Sequence, residues 1–257
     1  MHQLTSVKAL LLHPCNYYVT MTNPVVLSLD DLTTVRSSAL LTDAPPAALD
    51  DLLTDAMVSE FRNHQLVFRP DDLADRIFLV LKGKVQIYRG ETAGKHAVLA
   101  VQQRGAAFGL EDAFEQGHHL ATAQAVGDCR VLEFSAAAYR RVVGENSSMA
   151  IGLVKYLSQS LLSVSDQLER IQLKPTTQRL ADYLLRLPAN GSDNGEITLP
   201  YEKALIAAYL GMEPESLSRA LKDLQAVGVS NRGRRVHIKN EQALREFCRA
   251  SPGPVHA

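Results

Sequence analysis

Cysteine is scarce: Cys15, Cys129 and Cys248 are the only three, far apart and odd in number. Such spacing excludes a disulfide framework and fits a reducing cytoplasm. No C-x-x-C pair occurs, which argues against a cysteine-rich zinc site or a cysteine-ligated iron–sulfur cluster. No apolar run approaches the ~18 residues of a membrane-spanning helix, so no membrane partner is expected. The opening "MHQLTSVKALLLHPCNYYVT" lacks a basic n-region and a small-residue cleavage site, so it does not read as a signal peptide. Excess charge is also lacking. A formal net charge of -1 gives no global attraction to nucleic acid. The balance is uneven, however: Asp30, Asp31, Asp43, Asp50, Asp51, Asp55 and Glu60 crowd the start, while Arg232, Arg234, Arg235 and Lys239 fall close together near the end. A local basic stripe of that kind can hold phosphates.

What is present is enough for two compact domains: 257 residues with 46% hydrophobic content. Residues 25 to 57 read as short helices broken at "DAPPAALDDLL", with Pro45 and Pro46 starting the second. From about 58 to 135 the pattern alternates. "RIFLVLKGKVQIYRG" puts Ile77, Leu79 and Leu81 on one face, and "KHAVLAVQQRG" predicts another strand. "HLATAQAV", a Gly127-Asp128 turn and "CRVLEF" predict a hairpin. Short strands at close spacing predict a β sandwich or barrel.

After Ser148 the period lengthens. Val154, Leu157, Leu161, Val164, Leu168 and Ile171 alternate at steps of three and four. This is an a/d seam, and a second copy of the chain is its simplest partner. Leu153 and Leu162 lie off the seam, so another side of the helix can cover the barrel. Pro175 ends that helix. Beyond it come "TQRLADYLLRL", a short strand in "GEITLP", two helices joined through Gly211, and "NRGRRVHIKN" with Gly233 between two strand-like pieces. Helix, glycine turn, helix and basic hairpin together predict a winged helix-turn-helix. In its second helix Leu217, Leu221 and Leu224 make an apolar face, while Glu215, Ser218 and Arg219 share another. Pro214 suits the first turn, where no N–H is needed.

These stretches resemble the Crp/Fnr family of bacterial transcription regulators over residues 33 to 245. "DRIFLVLKGKVQIYRG" is similar to the family's barrel hairpin and "LPYEKALIAAYLGMEPESLSRALKDL" to its helix-turn-helix. The fold class implied is α+β: a cyclic-nucleotide-binding-like β jelly-roll barrel (33–147), a dimerisation helix (148–173) and a winged helix-turn-helix domain (174–257). Residues 1–32 form an extension, with Met21 as an alternative start. The resemblance implies a cytoplasmic homodimer that binds double-stranded DNA and acts, as an activator, on RNA polymerase, although no motif here supplies the polymerase-contacting surface.

By the same resemblance Glu215, Ser218 and Arg219 match the Fnr-type pattern for reading a TTGA-type half-site and its inverted copy. Their chemistry agrees, since Arg reads guanine bidentately, Glu accepts from cytosine, and Ser bonds several base edges. Ser216, Lys222, Arg232, Arg234 and Arg235 are expected on the DNA backbone. The cassette "FGLEDAFEQGHHLATAQAV" departs from cyclic-nucleotide binders, with Leu110 after Gly109 and Leu120-Ala121 in place of Arg-Ser. A cyclic phosphate would go uncompensated there. The missing N-terminal cysteine cluster of the Fnr type argues against the iron–sulfur form. The apolar cassette resembles the Dnr/NnrR nitric-oxide regulators, which implies haem as cofactor. Gly109, Leu110, His118, His119 and Leu120 are then the candidate effector residues, with His64, His13 and Cys15 as further candidate ligands. An effector-independent barrel, or one taking another apolar or redox ligand, is the alternative. A metal-dependent jelly-roll enzyme is disfavoured, because adjacent His118 and His119 would point to opposite faces of a strand.

Overall fold

The computed structural model describes residues 8–12, 18–22, 27–90, 97–115, 117–188 and 195–249, with side chains from residue 27 onward except 166–173. His13 and Cys15 lie outside them. The chain divides into two compact units, with the boundary between Ser160 and Leu161.

The first unit starts with strands β1 (Lys8–Leu12) and β2 (Tyr18–Thr22), then helices α1 (Leu29–Ser37) and α2 (Pro46–Thr54). Ser28 and Asp31 form a capping box at the start of α1, inside the stretch read as short helices. Their reciprocal hydrogen bonds satisfy free N–H groups at that end and fix where the helix begins. Pro46 opens α2, as read from the sequence. The strands that follow are β3 (Met57–Phe61), β4 (Leu66–Phe68), β5 (Arg76–Lys82), β6 (Lys84–Arg89), β7 (Ala97–Gln103) and β8 (Ala107–Phe108). Helix α3 (Leu110–Phe114) separates these from β9 (Thr122–Ala125) and β10 (Cys129–Ser135), and α4 (Ala136–Glu145) follows.

Two sheets result, in the orders β1-β2-β3-β10-β5-β8 and β4-β9-β6-β7. This overturns two expected hairpins. β5 and β6 belong to different sheets, and so do β9 and β10. Gly83 and Gly127 are therefore corners between sheets. A Cβ on Gly83 would lie 2.5 Å from the Asp128 carbonyl, closer than atoms can pack, and its φ of 81° favours glycine as well. The hydrophobic pattern could not show this, because β5 is buried on both faces. Ile77, Leu79 and Leu81 pack with Leu49, Leu52, Tyr139 and Met149 of the helices. Phe78 and Val80 point the other way, into the space between the sheets, beside Phe68, Phe108, Val131 and Ala123. A strand covered on both sides reads as continuously apolar, and its pairing is set by its neighbours.

Helix α5 (Ser147–Leu173) has two characters. Met149 and Leu153 are buried against the helical core, and the Tyr156 hydroxyl donates to the Ala107 carbonyl at 3.0 Å. Val154, Leu157, Leu161 and Val164, four of the seam residues, are 42–68% exposed, and Ile151 and Leu162 are exposed with them. The Leu168 and Ile171 side chains lie outside the described residues.

The second unit holds α6 (Thr176–Arg186), β11 (Glu196–Thr198), α7 (Lys203–Tyr209), α8 (Pro214–Asp223), a 3-10 turn (Leu224–Val227), β12 (Val229–Arg232), β13 (Arg235–Ile238) and α9 (Glu241–Arg249). The three strands pair in the order β11-β13-β12. Helix α9 was not foreseen. It buries Leu244 and Cys248, and Gln178 of α6 donates to its Phe247 carbonyl at 3.1 Å. No helix among the described residues is long and apolar enough to cross a membrane.

Candidate functional site

Helix α8 buries Leu217, Ala220 and Leu221 and starts with Pro214. Fixing that face leaves Glu215, Ser218 and Arg219 together in solvent. The Arg219 guanidinium donates through Nη2 to Ser216 Oγ at 3.2 Å. Ser218 Oγ donates back to the Pro214 carbonyl at 3.0 Å, so its lone pairs remain for a base edge. Ser216, expected on the DNA backbone, thus tethers the residue expected to read guanine. Lys222 is exposed near the other end of the helix.

The α7–α8 turn is secured from below by a residue that sequence reasoning missed. Arg179 of α6 donates through Nη1 to the carbonyls of Leu210 and Gly211, at 2.6 and 3.2 Å. A cation on the last carbonyls of a helix satisfies groups that have no helical partner and complements the dipole. Burial lowers the Arg179 pKa. One arginine in an amphipathic helix gives no sequence signal for such a role. Replacing it with Met should loosen this turn by roughly 1.5–3 kcal/mol, the usual cost of losing a charge-assisted hydrogen bond. Hydrogen exchange of the α7 amides in Arg179→Met checks this, since the loss should accelerate exchange there more than in the barrel.

The wing divides the expected phosphate contacts. Arg232 is exposed and has no ion pair among the described residues. Arg235 lies 3.7 Å from Glu196. Arg234, half exposed, donates through Nε and Nη2 to the Leu199 carbonyl at 3.1 and 2.7 Å, while its own carbonyl accepts from the Leu199 N–H at 2.8 Å. It clamps the wing to the segment before α7. Two of its five N–H donors are thus held at Leu199, and its Nη1 lies 3.7 Å from Glu202. Arg232→Ala should therefore flatten the salt dependence of DNA binding by about one unit of slope per protomer. Arg234→Ala should instead act through wing stability, and affinity measured across a salt series separates the two.

In the barrel the structure separates the five candidate residues. Gly109 and His119 meet inside. Gly109 caps α3 with a φ of 75°, and a Cβ there would lie 3.0 Å from Phe78 and 3.4 Å from His119. The His119 ring stacks on Phe68 at 3.6 Å, with Phe78 and Phe108 in the same aromatic cluster. Leu110 packs on the other side of the sheet, in the helical core. His118 and Leu120 are exposed, Leu120 at 62%. Neighbours in sequence are divided because Gly109 reverses the chain and only alternate residues face inward. His64 is also exposed, on a left-handed turn.

His119 is fully buried, and its Nδ1 lies 3.1 Å from Asp112 Oδ2. Burial lowers its pKa, opposed by Asp112 and more weakly by Asp72 and Asp75. A carboxylate only accepts, so the neutral ring carries its proton on Nδ1 and leaves Nε2 to bind a ligand. Of the two adjacent histidines, His118 is in solvent and His119 is buried. Among the described residues no group of three or more His, Cys, Asp or Glu is placed to hold a metal ion.

Comparison with known proteins agrees with this architecture. Residues 58–146 match the cyclic nucleotide-binding domain and residues 178–247 the Crp-like helix-turn-helix domain. The nitrogen fixation regulation protein FixK of Azorhizobium caulinodans is 27% identical over 194 residues, 73% of this chain and 77% of its own. The fumarate and nitrate reduction regulatory protein of Shigella dysenteriae is 24% identical, over 72% of this chain and 75% of its own. A cyclic-nucleotide-binding-type protein from Ruegeria pomeroyi has a crystal structure that is 31% identical, covering 86% of this chain and 98% of that one with a TM-score of 0.58. FixK2 from Bradyrhizobium japonicum aligns with a TM-score of 0.65 at 25% identity, over 77% and 99% of the two chains. With the jelly-roll barrel, the winged helix and these relatives in agreement, the chain belongs to the Crp/Fnr family of DNA-binding transcription regulators and is not an enzyme.

Proposed function

We propose that this regulator acts as a homodimer reading a TTGA-type inverted repeat, with Arg219 on guanine, Glu215 on cytosine and Ser218 on an adjoining base edge. The observation that carries the reading is the exposed Glu215, Ser218 and Arg219 face of α8, opposite a face fixed by burial. The exposed seam of α5 supplies the pairing surface, and two-fold symmetry then demands inverted half-sites about one helical turn apart. Selection of random duplexes by the purified protein should enrich TTGA and its inverted copy at that spacing. Enrichment of an unrelated motif would overturn the assignment. RNA polymerase is the further partner this reading requires for activation.

The same proposal places control in the barrel, with haem and nitric oxide as the effector system of the Dnr/NnrR type. Support comes from the cassette, which puts exposed Leu120 and buried Ala121 where a phosphate would need a cation and a hydroxyl. Haem, when bound, would supply the iron that captures nitric oxide. His119 would be the residue to hold the iron, because Asp112 fixes its tautomer and Phe68 its ring plane. Phe68, Phe78 and Phe108 occupy the space beside it, so these rings must part to admit the macrocycle. Whatever the effector, it acts by binding the DNA-competent arrangement more tightly than the other. An absorption titration of the anaerobic protein with haem, then nitric oxide, tests this. The expected result is a saturable Soret band that shifts with nitric oxide, survives His118→Ala and is lost in His119→Ala. Absence of a saturable band would remove haem and leave the DNA assignment standing.

A further inference from the structure

The barrel wall contains two buried polar side chains, Ser59 and Glu133, that act on each other. Glu133 Oε1 still has no hydrogen-bond partner among the described residues, and a buried carboxyl oxygen left so is costly.

Strand register shows where it opens. Glu133 pairs across the sheet with Met57 on one side and Phe78 on the other, and Ser135 pairs with Arg76. Residues two apart share a face, so Met57, Arg76, Ser135 and Glu133 all lie on one side of the sheet. The first three line a cavity of about 480 Å³, together with Thr54, Asp55, Asp75 and Arg140. Glu133 sits one residue pair deeper than its Arg76–Ser135 edge. Burial pushes the Glu133 pKa up, opposed by its hydrogen bond with Ser59 and by Arg76, while Asp75 adds to the rise.

The cavity wall therefore carries both signs. Arg76 donates Nη1 to the Asp55 carbonyl at 3.2 Å, and Arg140 donates Nη1 to the Ala113 carbonyl. A guanidinium has five N–H donors, so each keeps several for a ligand. Asp55 and Asp75 are exposed acceptors on the same wall. A simple anion would meet the carboxylates of Asp55 and Asp75, and a simple cation the two arginines. Only a molecule with both charges, and of modest size, satisfies the whole wall.

We propose that this end of the barrel is a binding site for a zwitterionic amino carboxylate of amino-acid size. Its carboxylate lies between Arg76 and Arg140, and its ammonium is directed toward Asp75 and the Glu133–Ser59 pair. The cavity lining includes neither Gly109 nor His119, and the proposal does not depend on the haem reading.

The test uses the full chain. Thermal unfolding is followed with each standard L-amino acid at millimolar concentration, with n-butyrate and n-butylamine as single-charge controls, and hits are measured by calorimetry. At least one amino acid should raise the transition midpoint while neither control does. Arg140→Met and Glu133→Gln should each weaken that binding about 10- to 100-fold, the loss expected for one charge-assisted hydrogen bond. The exposed control Leu29→Glu, outside the cavity wall, should leave it unchanged. The proposal is overturned if no amino acid shifts the midpoint, if either control reproduces the shift, or if binding is unaltered in both variants. If Glu133→Gln does not fold, Arg140→Met and Thr54→Val, both on the cavity wall, decide the matter.

Discussion

Arg219→Ala is expected to abolish discrimination at the guanine of each half-site while leaving non-specific DNA binding almost intact. The fold should tolerate the change, because the side chain is in solvent and its one internal contact is the Ser216 hydroxyl. A bidentate arginine–guanine pair supplies about 1–3 kcal/mol of discrimination. A dimer loses that at both half-sites, so preference for the operator should fall roughly 10²-fold or more. Fluorescence anisotropy with the TTGA repeat and with a duplex altered at the guanine measures it. Wild type should separate the two duplexes widely and Arg219→Ala hardly at all. Equal operator preference in both proteins would remove Arg219 from base reading and move the search to Glu215 and Ser218.

Leu161→Glu should separate the protomers. Leu161 is 68% exposed in the single chain, so an acidic residue there costs the unit's own fold little. In a parallel pair the seam is symmetric, and the substitution acts twice. Each buried leucine contributes about 1.5–3 kcal/mol, and two carboxylates facing one another across the seam add repulsion. A dimer weakened by on the order of 10³-fold follows, and operator affinity falls with it, because a monomer engages one half-site. Sedimentation velocity and anisotropy on the same samples check both parts. An unchanged dimer would mean that another surface pairs the chains. The exposed control Leu29→Glu, outside the seam, should change neither.

How far the sequence reached differs between the two units. In the helix-turn-helix the apolar rhythm Leu217, Leu221, Leu224 fixes which face is buried, and with it that Glu215, Ser218 and Arg219 face outward. Val154, Leu157, Leu161 and Val164 share one face of α5 for the same reason, since steps of three and four along a helix are a local property. Arg234 and Arg179 were not legible in this way. Both are arginines on solvent-accessible elements, and only folding shows that one clamps the wing to Leu199 and the other holds the carbonyls of Leu210 and Gly211.

In the barrel the sequence determined that strands exist and roughly where they turn. It did not determine which strands pair. "RIFLVLK" is apolar on both faces, so its pattern is the same whether β6 lies beside it or across from it. The corners at Gly83 and Gly127, the burial of His119 beside exposed His118, and the meeting of Met57, Arg76 and Glu133 on one face all depend on contacts between residues far apart in the chain. Periodicity reports that a face is covered. The identity of the residues covering it is decided only when the sheets close, and that closure makes the barrel's chemistry a property of the tertiary structure.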